Sequence, residues 1–158
     1  MDVPKIYLET TMFNYYFDRD RDFHPDTVAL FEQCAAGKFV PYTSTYALDE
    51  LEAAPIEKYS KMIELIDRYK INVLPTSDEA ISLANHYISE NALPKSSFID
   101  ARHIATATIA GLNMIVSLNF KHIVREKTIT LTGAINLLNG YQPIKIKSPQ
   151  EVIDYEET

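Results

Sequence analysis

The chain is short of the residues on which several common site chemistries depend. A single cysteine, Cys34, stands among its 158 residues, which excludes an internal disulfide and any cysteine-built zinc site. Cys34 falls in an apolar helical pattern and reads as a small buried hydrophobe. There are four glycines and no tryptophan. No GxGxxG, GxxxxGK[ST] or GxSxG pattern occurs, so a phosphate-cradling glycine loop is not expected. The four histidines, His24, His86, His103 and His122, show neither i, i+4 pairing nor HExxH spacing, which argues against zinc. Positive charge is in deficit: 15 Lys and Arg stand against 22 Asp and Glu, a net charge of -7. That balance disfavours broad electrostatic affinity for nucleic acid or anionic membrane. It is compatible with a metal-binding acidic site, which contributes negative charge of its own. No apolar run reaches membrane-spanning length and no basic start precedes an apolar stretch, so the expectation is no membrane segment and a reducing cytoplasm.

What is present is an ordinary globular composition, 46% apolar and 23% charged, expected to form one domain over residues 1–158. Lys5 to Glu9 reads as a strand, followed by a short helix from Met12 to Phe17 and a mixed-charge loop, Asp18 to Asp22. A helix from about Pro25 to Ala36 has Pro near its start and Gly37 past its end. Phe39 to Thr43 reads as a second strand, although Pro41 lacks a ladder donor. Ser44 or Thr45 caps the next helix, which carries Asp49, Glu50 and Glu52, and a longer helix spans about Glu57 to Tyr69. Ile71 to Leu74 is a third strand, and Ser77 caps a helix reaching Glu90. A helix opens near Ser97 and ends before Gly111, and Met114 to Leu118 is a short apolar strand. A helix over about Thr128 to Leu138, an edge strand Ile144 to Lys147 and a turn of helix from Ser148 complete the chain. Short strands alternating with helices imply an α/β fold of three layers, a central parallel sheet of four to five strands flanked by helices.

Three acids and one amide hold comparable places in this order. Glu9 ends strand one, Glu50 lies in the helix after strand two, Asp100 opens its helix, and Asn119 follows strand four. In an open parallel sheet, ligands bind at the strand outlets where the winding reverses. If the last two strands lie on the opposite side of strand one from the second and third, Glu9 and Asn119 flank that reversal. Clustered oxygen donors are what Mg2+ or Mn2+ requires, and such ions promote phosphodiester hydrolysis. Each residue also has a structural alternative. Asp100, three after Ser97, fits a capping box. Glu50 with Asp49 and Glu52 fits a solvated face, Glu9 a strand end, and Asn119 a turn. His103 lies one turn along from Asp100, placed either to hydrogen-bond near the site or to pack within the helix.

Ile6-Tyr7-Leu8-Glu9-Thr10, the Glu50-Leu51 step, Asp100-Ala101-Arg102-His103-Ile104-Ala105-Thr106-Ala107 and Ser117-Leu118-Asn119-Phe120-Lys121-His122 together resemble the PIN domain. The likeness runs over about Lys5 to Val152 and is to VapC-type toxins of toxin–antitoxin systems. The resemblance implies a PIN-like fold and an endoribonuclease hydrolysing RNA with Mg2+ or Mn2+. It further implies a homodimer and a cognate antitoxin. Glu9, Glu50, Asp100 and Asn119 would be the catalytic, metal-holding positions. Thr10 and Ser117 would be polar neighbours, and His103 a supporting group. Lys95, Arg102, Lys121 and His122 are candidates for contact with the RNA backbone.

Two positions depart from the family pattern. The first acid is usually Asp, and the extra methylene of Glu9 moves its oxygens by about 1 Å or more. A displacement of roughly 1 Å at such a site can cost about a hundredfold in rate. Asn119 can coordinate through its carbonyl oxygen but adds no charge. These departures carry an alternative, a catalytically weak or inactive PIN-like protein acting by RNA or protein binding. A metal-dependent phosphatase on a similar scaffold is a third reading, opposed by the absence of a DxDx motif after the first strand.

Overall fold

The computed structural model describes residues 2–154; Met1 and residues 155–158, the ends of the expected 1–158 domain, lie outside the described residues. Five strands, β1 (Lys5–Leu8), β2 (Val40–Ser44), β3 (Asn72–Leu74), β4 (Met114–Val116) and β5 (Lys145–Lys147), form one sheet in the order β3-β2-β1-β4-β5. Every neighbouring pair is parallel. The helices α1 (Thr10–Tyr15), α2 (His24–Ala35), α3 (Thr45–Leu51), α4 (Ile56–Arg68), α5 (Asp78–Ser89), α6 (Phe98–Ile109), α7 (Glu126–Leu138) and α8 (Pro149–Ile153) connect and follow them. The architecture is the α/β fold expected, a central parallel sheet flanked by helices, with element boundaries moved by one to three residues. The winding reverses at β1, as the placement of the acids requires.

Side chains of a strand alternate between the two faces of the sheet. Ile6 and Leu8 of β1, with Met114 and Val116 of β4, join the core packed by Met12, Phe13, Leu30, Phe31 and Met62. Tyr7 and Ile115 point the other way, into a core built with Leu83, Tyr87, Ile104 and Ala105. The aromatic run after β1 belongs to the first of these cores. Phe13 is fully buried, and Tyr15, Tyr16 and Phe17 pack against the same cluster. Cys34 is buried there too, its thiol pushed up to about 12 by burial.

Pro41 sits inside the sheet without breaking it. The Val40 N–H donates to Pro4 O at 2.9 Å, so alternation turns the Pro41 nitrogen toward the β3 side. There the ladder begins only at Tyr42, opposite Asn72, and the missing donor breaks no pair. Ser44, the last residue of β2, caps α3 with its hydroxyl, accepting from Ala47 N at 3.4 Å. Just past α6, Gly111 has φ +72°, the left-handed turn that ends a helix and that glycine adopts without steric cost.

Candidate active site

Because the strands are parallel, the residues that follow β1, β2 and β4 emerge at one edge of the sheet. Glu9, the residue after β1, is the N-cap of α1 and is only 3% exposed. It is more than a polar strand end. Its Oε1 accepts from Thr11 N at 3.1 Å, Thr11 Oγ1 at 2.5 Å and Ser117 Oγ at 2.7 Å. Thr11 Oγ1 in turn accepts from Leu118 N at 2.8 Å, tying the start of α1 to the outlet of β4. The extra methylene of Glu9 is thus taken up by a three-donor clamp on one oxygen. Thr10, expected as a neighbour of the acids, donates to Glu50 Oε1 at 2.7 Å. Ser117 lies in the clamp, fully buried.

Glu50 parts company with its acidic neighbours. Asp49 and Glu52 are exposed, whereas Glu50 turns inward with its side chain 35% exposed. Its Oε1 also bonds His103 Nε2. Burial pushes the Glu50 carboxyl upward, but the hydrogen bond and charge of His103, with the Thr10 hydroxyl, outweigh it and hold the group below the ordinary glutamate range. His103 is fully buried, which by itself lowers an imidazole. The Glu50 bond and the charges of Glu9, Glu50 and Asp100 reverse that direction and raise it. Donor atoms of Glu9, Glu50 and His103 lie within 4.8 Å of one another.

Asp100 opens α6 without the capping role that its spacing from Ser97 allowed. Ser97 makes no side-chain cap hydrogen bond, and a single 3-10 turn, Lys95–Ser97, leads into the helix instead. Asp100 stands outside the 4.8 Å group but within its field. Burial first, then the charges of Glu9 and Glu50, push its carboxyl up to about 6, against His103 and a hydrogen bond from the Asn119 amide. A carboxyl held up by burial and by neighbouring carboxylates, as Asp100 is, is one whose charge a divalent cation would favour. Carboxylate oxygens with one imidazole beside them suit a cation of the Mg2+ or Mn2+ class.

Asn119 uses its side-chain oxygen locally. Its Oδ1 accepts from His122 N at 3.0 Å, an Asx turn that starts the segment before α7. As a hydrogen-bond donor Asn119 acts to lower the Asp100 carboxyl. Of the residues considered for RNA contact, Lys95 and Lys121 are exposed. The Arg102 guanidinium lies between two rings, 5.3 Å from the Phe98 centroid and 5.7 Å from that of Tyr46. His122 keeps its Nδ1 buried without a partner, and burial with the charges of Lys121 and Arg125 lowers it. A separate cleft of about 860 Å3 is lined by Asp18, Arg19, Glu57, Lys58, Lys61 and Arg68 among others, and none of Glu9, Glu50 and Asp100 borders it.

Sequence reasoning did not assign Thr11, Tyr7 or Ser44 to the site. Thr11 read only as part of a turn. Tyr7 carried one usable signal, strand alternation that sets it apart from Ile6 and Leu8, but nothing along the chain paired it with His103, 96 positions away.

No family model and no curated protein matches the chain. Among solved structures, the fold is similar to the crystal structure of Mycobacterium tuberculosis VapC20, a sarcin–ricin loop cleaving toxin, with a TM-score of 0.54. The match covers 70% of this chain and 86% of that one at 16% sequence identity. At that identity the two share a fold, the PIN-like one.

Proposed function

We propose that this chain is a Mg2+- or Mn2+-dependent endoribonuclease of the PIN type, the toxin of a toxin–antitoxin pair. One observation carries the reading: Glu9 and Glu50, 41 positions apart, meet at His103 beside the outlet of β1 and β4, with Asp100 close enough to feel the charge of both. The similarity in fold to a sarcin–ricin loop cleaving toxin supports it. In this reading Glu9, Glu50 and Asp100 hold the cation, and Asn119 acts through its amide on Asp100. A cation held there supplies activation of water and neutralisation of charge on the scissile phosphate. The protein's own contribution is orientation. The Thr11–Ser117 clamp presents Glu9, the Thr10 and His103 bonds present Glu50, and the Asn119 amide presents Asp100. Lys95, Arg102, Lys121 and His122 supply backbone contacts to the RNA. The same reading takes residues 1–158 as one domain, working in the cytoplasm as a homodimer with a cognate antitoxin.

The test is cleavage of a panel of structured and single-stranded RNAs by antitoxin-free protein in Mn2+ and in Mg2+. Wild type should cut, and Asp100→Ala should lose at least about a hundredfold in rate. A second reading, a PIN-like protein that binds without cutting, is favoured by Asn119, which adds no charge to the acids and whose Oδ1 is engaged by His122 N. Retention of RNA by wild type without cleavage in either metal would select it.

A further inference from the structure

We propose that His103, held by Tyr7, is the positioning residue that sets Glu50 for cation binding, an inference that rests on the metal-dependent reading above. Tyr7, Ser44 and His103 are all fully buried. Polar side chains so placed are found bonded at their polar atoms, since an unpaired one costs its full desolvation. Here the bonds form one continuous chain. Ser44 Oγ lies 2.6 Å from Tyr7 Oη, Tyr7 Oη lies 2.5 Å from His103 Nδ1, and His103 Nε2 meets Glu50 Oε1. Glu50 can only accept when ionised, so Nε2 carries hydrogen whichever way the rest of the chain runs. In the neutral imidazole, Ser44 donates to Tyr7, Tyr7 donates to Nδ1, and Nε2 donates to Glu50. A doubly protonated ring reverses the Tyr7 bond and keeps the last one. In both states the Nε2 lone pair is taken by hydrogen, and His103 serves Glu50 without being a metal ligand itself.

The consequence is a defined way for Glu50 to bind. His103 and Thr10 both use Oε1, which leaves Oε2 outside these bonds as the oxygen presented to a cation. The orientation is inherited from the sheet, because the chain of bonds starts on Tyr7 of β1 and Ser44 of β2. A seven-residue helix such as α3 does not by itself hold a carboxylate still.

Calorimetric titration of the full chain with Mn2+ tests this, with ion-free melting curves showing that each variant folds. His103→Leu should weaken the Mn2+ Kd by about ten- to a hundredfold, the usual consequence of removing the partner that orients a ligand. His103→Gln, which keeps a side-chain N–H, should recover most of that loss. Tyr7→Phe, a change of one hydroxyl, should weaken Mn2+ several-fold even if His103→Leu fails to fold. Pulsed paramagnetic resonance of bound Mn2+ should show no directly coordinated nitrogen. Nitrogen coordination would make His103 a ligand and overturn the proposal, as would a wild-type Kd in Tyr7→Phe. Absence of Mn2+ binding by wild type would remove the metal reading and this inference together. Tight binding by wild type and by all three variants would remove the inference alone.

Discussion

Glu9 spends its extra length on three hydrogen bonds to one oxygen, so shortening it toward the commoner Asp should harm the site. Glu9→Asp withdraws the carboxylate from Ser117 across the sheet edge, and both stability and Mn2+ affinity should fall. Ser117→Ala, which deletes one donor to a buried charge, should cost about 1–3 kcal/mol in urea denaturation. The acids also make a prediction in pH. Asp100, raised from 3.8 to about 6, holds a proton in the folded chain that the unfolded chain has already lost. Between about pH 4 and 6 this group therefore makes the ion-free fold less stable as pH rises. His103, also raised, acts in the same direction: its contribution is full below its ordinary value and is lost as pH climbs through the folded one. Glu50 is lowered and contributes the opposite slope only in stronger acid. Asp100→Asn removes the first effect, so the Tm of the variant relative to wild type should grow between pH 5 and 7.5. A difference that stays constant or shrinks over that interval would contradict the burial of Asp100.

At the level of elements, the site depends on how helices start and stop. Ser44 both caps α3 and bonds Tyr7, so Ser44→Ala should lose about 1–2 kcal/mol, more than a cap alone on an exposed helix. Gly111 ends α6 with φ +72°, and nothing lies within 4 Å of where a Cβ would stand. The cost of Gly111→Ala is then conformational, about 1–2 kcal/mol, and Gly111→Asn should cost less because asparagine tolerates that region. Urea titrations of the two variants check the order. Elements of this kind were legible before folding: the strand–helix alternation, the Ser44, Ser77 and Ser148 caps and the glycine stops are all local chemistry. Boundaries moved where a neighbour decided them, as at β2, which begins at Val40 because Pro4 receives its N–H.

For the whole molecule, the -7 net charge and the acids gathered at one edge make the fold a target for linkage. Mn2+ at a hundred times its Kd should stabilise the chain by about 2.7 kcal/mol. For a chain of this size that corresponds to roughly 5–10 °C in Tm. The shift should vanish in Asp100→Ala, and a chelator should reverse it in wild type. Light scattering of antitoxin-free protein should give twice the monomer mass if the homodimer of the proposed function forms. No helix among the described residues is long and apolar enough to cross a membrane.

The sequence by itself determined the α/β order, the outlets at which Glu9 and Asn119 stand, and the resemblance to the PIN domain. Those properties are periodic or local, and they are written in consecutive residues. Only the tertiary structure decided what each polar group does there. It separated Glu50 from Asp49 and Glu52, relieved Asp100 of a capping role, and brought Asn119 to Asp100 as a hydrogen-bond donor. It also joined Tyr7 and Ser44 to Glu50 through His103. Such pairings depend on side chains brought together from strands and helices dozens of positions apart, and no spacing along the chain encodes the distance between them.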